Sequence, residues 1–301
     1  MPDLLLMAMG LALGAILAGG VLFVIVRPGS SSVSWRLAAG WAGGLGVGIY
    51  ASCYLLGEWP RWPPTEDRHR FLVILLPLAL AVEAAAMLLP ARRWPVWFLR
   101  ISLAAATPPV LLYNTSYLAD LDGPDLPGIP IWNRAEAVLI LGLSAMMLTG
   151  LHSLLVRLRA RTSDRALALI LTLVILGSGV TVMLCGYYRG GLLALPMAGA
   201  ITGVTLASCA ILQQPVENAS LGVGILGIFT LCFIGRFFGS LPTGLALGLP
   251  LVPLLAWTAE LPRIRKLPPA ARAAIRMAAV LAALVAIVTW AQIRFNASSG
   301  L

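Results

Sequence analysis

Residues 71–90 read FLVILLPLALAVEAAAMLLP and carry a single charge, Glu83. A bilayer core about 30 Å thick needs about 20 predominantly apolar residues per helical crossing. A helix on the surface of a soluble core would instead carry a polar face. The stretch is therefore expected to cross a membrane, which makes Glu83 the most informative residue in the chain. A charge near the bilayer centre costs about 2.5–3.5 kcal/mol on insertion scales, so it demands a partner, a proton or a task.

The rest of the chain follows the same pattern. Of 301 residues, 59% are hydrophobic and 11% charged, with a mean hydropathy of +0.92. Soluble domains carry about a quarter charged residues. Apolar runs bounded by charged or Pro/Gly-rich stretches predict ten spans: 4–26, 35–57, 71–90, 96–118, 136–156, 167–186, 192–212, 219–238, 241–259 and 273–293. The expected fold class is all-α, a polytopic integral membrane protein forming one transmembrane domain over residues 1–301, with no room for a sizeable soluble domain. Only Gly239 and Ser240 separate spans 219–238 and 241–259, so a re-entrant pair or one broken helix is the alternative there. The first span does not read as a cleavable signal, because Asp3 precedes it and Arg27 follows it.

The net charge of +9 comes from 21 basic residues, all arginine except Lys266. No stretch interleaves basic and aromatic residues as a nucleic-acid site would, so no nucleic-acid partner is expected. The arginines read as topogenic. Alternating the loops puts 14 inside, among them Arg27, Arg36, Arg92, Arg93, Arg100, Arg157 and Arg263, and 7 outside, including Arg61, Arg134, Arg189 and Arg236. That bias predicts an outside N-terminus and an outside C-terminus. The inner clusters Arg157–Arg165 and Arg263–Arg276 are expected to lie against anionic lipid headgroups. Tryptophans 35, 59, 62, 94, 97, 132, 257 and 290 fall at or just beyond span ends, where an indole prefers the headgroup zone; only Trp41 is inside a span. Arginine-rich, lysine-poor usage points to a bacterial inner membrane.

Gly40, Gly44 and Gly48 recur every four residues, as do Gly199, Gly203 and Ala207, and Gly244 and Gly248 form a shorter repeat. Such faces let helix backbones approach closely, which matters because lipid supplies little hydrophobic drive for association. Packing within the chain is the expected use; a homo-oligomer face or a membrane partner is the alternative. The four cysteines, Cys53, Cys185, Cys209 and Cys232, read as small buried residues, although the outer ends of two spans would bring Cys53 and Cys185 to a similar depth. With two histidines and no C-x-x-C pair, neither a metal site nor a cofactor is expected.

Four residues are candidates for a substrate or ion pathway: Glu83, Arg100, Pro108 and Asn114. Arg100 enters its span from the same side as Glu83 and reaches a similar depth, so antiparallel neighbours would pair them. Thr107, Pro108 and Pro109 are expected to break the fourth span, because two prolines remove two amide donors. Tyr113 to Tyr117 then make its outer part polar. Broken helices often line transporter binding sites. Pro242, Pro250 and Pro253 mark a second candidate break. Two outer loops stand out: 58–70, with Trp, Pro and five charged or histidine residues in a row, and 119–135, with Asp120, Asp122 and Asp125. The latter lacks the glycine and terminal glutamate of a calcium loop and reads as a rigid acidic cap.

No catalytic signature is present: no G-x-S-x-G, H-E-x-x-H, P-loop or dinucleotide fingerprint. Five plus five spans would make two halves of opposite orientation, the topology of inverted-repeat transporters. In size and span count the chain resembles the drug/metabolite transporter superfamily, with no matching motif and with outside termini where that family's are inside. The leading expectation is a secondary transporter or permease-like protein for a small solute. A non-catalytic membrane subunit docking a partner through its outer loops comes second. A membrane-embedded enzyme acting on a lipid-linked substrate comes third.

Overall fold

The computed structural model describes residues 4–26, 34–89, 93–119, 121, 132–161, 164–212 and 219–299. Regular structure among them is helical throughout. The long elements, in chain order, are α1 (Leu4–Ile25), α2 (Ser34–Leu55), α3 (Asp67–Leu88), α4 (Arg93–Leu111), α5 (Arg134–Arg159), α6 (Asp164–Leu184), α7 (Tyr188–Ile211), α8 (Ala219–Phe237), α9 (Thr243–Glu260) and α10 (Pro269–Ser299). Eight of these, all but α2 and α4, are long and apolar enough to cross a membrane. In α2 five glycines with Trp, Tyr and Ser dilute the apolarity; in α4 two arginines, two tryptophans and three prolines do so. The outward faces carry Ile16, Val138, Leu206, Val285 and Ile293, all exposed. A continuous apolar exterior of this kind suits a lipid surround.

Glycine decides how the first helices meet. α1 lies against α2 and α7. A Cβ at Gly44 would come within 2.6 Å of the Ala18 carbonyl oxygen, and one at Gly48 within 2.6 Å of that of Gly14. On α7, a Cβ at Gly199 or Gly203 would overlap the carbonyls of Leu11 and Ala15. Gly40 is less tight, 3.1 Å from Val26 and 3.2 Å from Leu22. These faces are occupied by α1 of the same chain, and the Ser52 hydroxyl ties the first two helices by donating to the Gly10 carbonyl at 2.6 Å. Gly244 and Gly248 behave otherwise. Nothing lies within 4 Å of either, because α9 buries Ala246, Leu249 and Pro250 instead. The four cysteines are free thiols.

Three spans differ in their course from the sequence reading, and α7 and α10 also begin four residues early. α3 begins four residues early, at Asp67, and includes a π-turn over Phe71–Leu75 in which the Leu76 amide donates to the Phe71 carbonyl. Pro77 follows at once and has no amide of its own to give, and a π-turn absorbs that gap. α4 is not broken at Pro108 and Pro109. It runs helically through both to Leu111, since proline's φ already suits a helix, and the Thr107 hydroxyl donates to the Leu103 carbonyl at 2.7 Å. The chain leaves the helix only at Leu112, and a short turn of helix, Ser116–Ala119, follows. α9 is likewise continuous: α-helical to Leu251, then tightened to 3-10 over Val252–Glu260 around Pro253. Between α8 and α9 the turn at Gly239 and Ser240 is pinned by the Ser240 amide on the Cys185 carbonyl at 2.8 Å, so 219–238 and 241–259 form two helices. The acidic residues Asp120, Asp122 and Asp125, and the inner Arg27 and Arg92, lie outside the described residues.

Candidate functional site

Helices α5 and α8 share a seam with two cavities along it, and the candidate residues sort between them. The cavity called inner, after the orientation expected from the arginine bias, is small, about 30 Å³, and Glu83, Arg100, Leu148, His152, Gly222 and Leu226 are among its walls. One water molecule occupies about that volume in the liquid. Arg100 reaches across from α4 and holds Glu83 with both arms of its guanidinium: Nε donates to Oε1 at 3.0 Å and Nη2 to Oε2 at 2.5 Å. Both side chains are buried, Glu83 to 3% exposure. Gly222 backs the carboxylate so closely that a Cβ there would overlap it. Trp97 underlies the Arg100 guanidinium at 5.8 Å and meets the His152 ring edge-on at 5.8 Å. The His152 Nε2 is buried without a hydrogen-bond partner. The arrangement is a bidentate ion pair with an imidazole beside it and space for one small polar guest.

The outer cavity is of a different order, about 560 Å³. Small-molecule sites run to roughly 300–1,000 Å³. Phe229, Phe233 and Phe237 of α8 form its floor, spaced four residues apart so that they lie on one helix face. Neighbouring rings among them pack at 5.4 and 4.6 Å. Ile140, Leu143, Ser144 and Met147 of α5 make one wall; Thr243, Ala246 and Leu247 of α9 make the other. Tyr117, Trp132 and Phe237 close one end as a three-ring cluster with centroids 5.0 to 5.4 Å apart. Among the described residues the one charged side chain lining it is Arg236, exposed, with its Nε donating to the Thr243 hydroxyl at 2.9 Å. The two cavities are neighbours. Met147 and Leu148 are consecutive on α5, while Leu226 and Phe229 are one turn apart on α8.

A third polar group sits at the N-terminal end of α3. Asp67, Arg68, His69 and Arg70 are all buried, although they read in sequence as part of an exposed loop. Arg68 pairs with the buried Glu58 and, at 2.5 Å, with Glu66. Asp67 Oδ1 accepts the Tyr187 hydroxyl at 2.7 Å, and its Oδ2 has no hydrogen-bond partner among the described residues. Burial and the neighbouring Asp67 charge push the Tyr187 hydroxyl far above its ordinary range, which keeps it a donor. Arg70 donates to the Leu111 carbonyl at 2.8 Å and to the Thr65 carbonyl. It thereby caps the end of α4, where helix carbonyls would otherwise be unsatisfied. Loop 58–70 is thus half folded into the protein.

Of the four pathway candidates, Glu83 and Arg100 are brought together. Pro108 is buried two turns further out on α4 and lines neither cavity. Asn114 is exposed, with φ of 54°, where it turns the chain after α4. Sequence reasoning did not single out Gly222 or the phenylalanine floor, and it passed over His152. The spacing of Phe229, Phe233 and Phe237 was the available signal; nothing local marks Gly222 as the residue behind Glu83. Among the described residues, no cluster of His, Cys, Asp and Glu could hold a metal ion. The chain matches no protein-family model, no curated protein and no solved structure.

Proposed function

We propose that this is a permease-like protein of the cell membrane, with both termini outside, that takes a small amphipathic solute into the outer cavity. The way inward is shut at the Glu83–Arg100 pair. One observation carries the reading: a cavity of ligand size and a water-sized cavity walled by a buried ion pair lie one helical turn apart on the same two helices. The arginine bias supports the orientation, since α5 ends at Arg157 and Arg159 on the side with more basic residues. On that orientation the large cavity faces outward. An ion pair suits a gate because it is lost when its carboxylate is protonated or when either partner is hydrated or displaced. Arg36, Arg157, Arg263 and Arg265 would then face anionic headgroups on the inner surface.

Thiol labelling in intact cells tests this without knowledge of the solute. In a chain whose four cysteines are replaced by alanine, Ser144→Cys should react with a membrane-impermeant maleimide added outside. Thr149→Cys, beside the ion pair, should be protected, and should become reactive when Glu83→Gln is added. Protection of Ser144→Cys from the outer reagent, in cells and in lipid-free detergent alike, would end the outward-open reading. The second reading, a non-transporting subunit, is favoured by how completely Glu83 is held, with Arg100 on both oxygens and Gly222 behind it. It expects Thr149→Cys to stay protected in Glu83→Gln while the protein folds normally.

A further inference from the structure

We infer that the outer cavity takes an anionic lipid of the outer leaflet, its chain on the phenylalanine floor and its head on Arg236; this rests on the outward-facing cavity proposed above. The walls decide the first half. Phe229 and Phe233 are buried, Met147 is half-buried, and the polar side chains Ser144, Thr243 and Arg236 are few. A fully polar solute would leave its hydrogen-bonding groups unmatched against such walls. Hydrocarbon would not.

The rim decides how the ligand enters. Leu143 on α5 and Leu247 on α9 border the cavity and are 53% and 51% exposed, on the apolar exterior of the protein. The cavity is therefore continuous with the lipid-facing surface between those two helices, and a chain can slide in sideways without crossing water.

Charge decides the head. Arg236 is the one charged residue among the described residues of the lining, at the end of α8 near the tryptophan-bearing rim. Its Nε is held by Thr243 at 2.9 Å and its Cζ lies 5.8 Å from the Phe237 ring centre. Its Nη groups donate to nothing among the described residues, and the side chain is exposed. A guanidinium fork matches two oxygens of a phosphate. A cationic or neutral head gains nothing there. Trp132, in the lining, reports occupancy.

The test uses the full-length protein in vesicles. Tryptophan fluorescence is quenched with brominated phosphatidylglycerol or brominated phosphatidylcholine, each in the same unbrominated host lipid. The anionic lipid should quench more strongly at equal mole fraction, and Trp132→Phe should remove that excess. Arg236→Gln should lower the preference about fivefold, the factor equivalent to the roughly 1 kcal/mol that one arginine contributes to anionic-lipid attraction. Arg236→Lys should keep most of it. Equal quenching by the two lipids would overturn the inference, since an annular lipid at the rim behaves so. Loss of the excess on adding inorganic phosphate would also overturn it, in favour of a soluble anion. If the lipids quench equally while Ser144→Cys still labels from outside, the outward-facing cavity stands and the lipid ligand falls. If Ser144→Cys is protected in lipid-free detergent as well, the cavity reading itself has failed.

Discussion

The inner and outer halves of the α5–α8 seam are built from the same two helices and could hardly differ more. The inner half is closed to about 30 Å³ because α3 and α4 bring charged side chains into it and Gly222 lets α8 press against the carboxylate. The outer half is open to about 560 Å³ because its neighbour there is α9, whose small and mid-sized residues flank the aromatic floor without filling it. One half is shut by charge and close packing, the other held open by ring size. The lesson is that void volume along a helix pair is set by the third helix. The pair's own sequence does not reveal it.

Breaking the inner half should cost the most. Arg100→Leu leaves Glu83 buried and unpaired, and should lower stability by about 3–5 kcal/mol in thermal unfolding in detergent. Adding Glu83→Leu should return most of that loss, because an apolar pair of similar size is nearly neutral against a buried ion pair. No recovery in the double variant would mean that the site serves more than packing. Next comes the outer end of α3: Arg70→Met removes charge-assisted bonds to the Leu111 and Thr65 carbonyls, and should cost about 1.5–3 kcal/mol. Its effect should be seen as faster hydrogen exchange at the end of α4.

The smallest pair of effects sharpens the contrast most directly. Leu148→Trp forces a large ring into the water-sized cavity and should cost about 1–3 kcal/mol by overpacking. Ser144→Trp, one turn outward on the same face, places the same ring in the large cavity and should stay within about 0.5 kcal/mol of the parent. Equal costs would show that the two cavities are not different in solution.

The helical architecture was largely legible in the sequence because membrane spans are dictated by local apolarity. The expected boundaries of 4–26 and 219–238 fall within a residue of α1 and α8. The pairing of Glu83 with Arg100 was also legible, since two opposite charges at one depth on successive antiparallel helices have few other partners. Proline was misleading. Pro108 and Pro109 read as a break, but proline's φ suits a helix and α4 runs on to Leu111, whose carbonyl accepts from Arg70, some forty residues earlier in the chain. The burial of Asp67 to Arg70 was hidden for the same reason, because their partners Glu58, Tyr187 and the Leu111 carbonyl come from three separate stretches.

By itself, then, the sequence determined that the chain is a set of apolar helices, where they run, and which two charges would meet. Each of these follows from hydropathy and depth, which are local quantities. Tertiary structure alone decided that the glycines of α2 and α7 serve α1, that Gly222 backs Glu83, and that a ligand-sized cavity opens beside a closed one. Those outcomes depend on which helix arrives as the third neighbour, and on how much side-chain volume it carries into the gap.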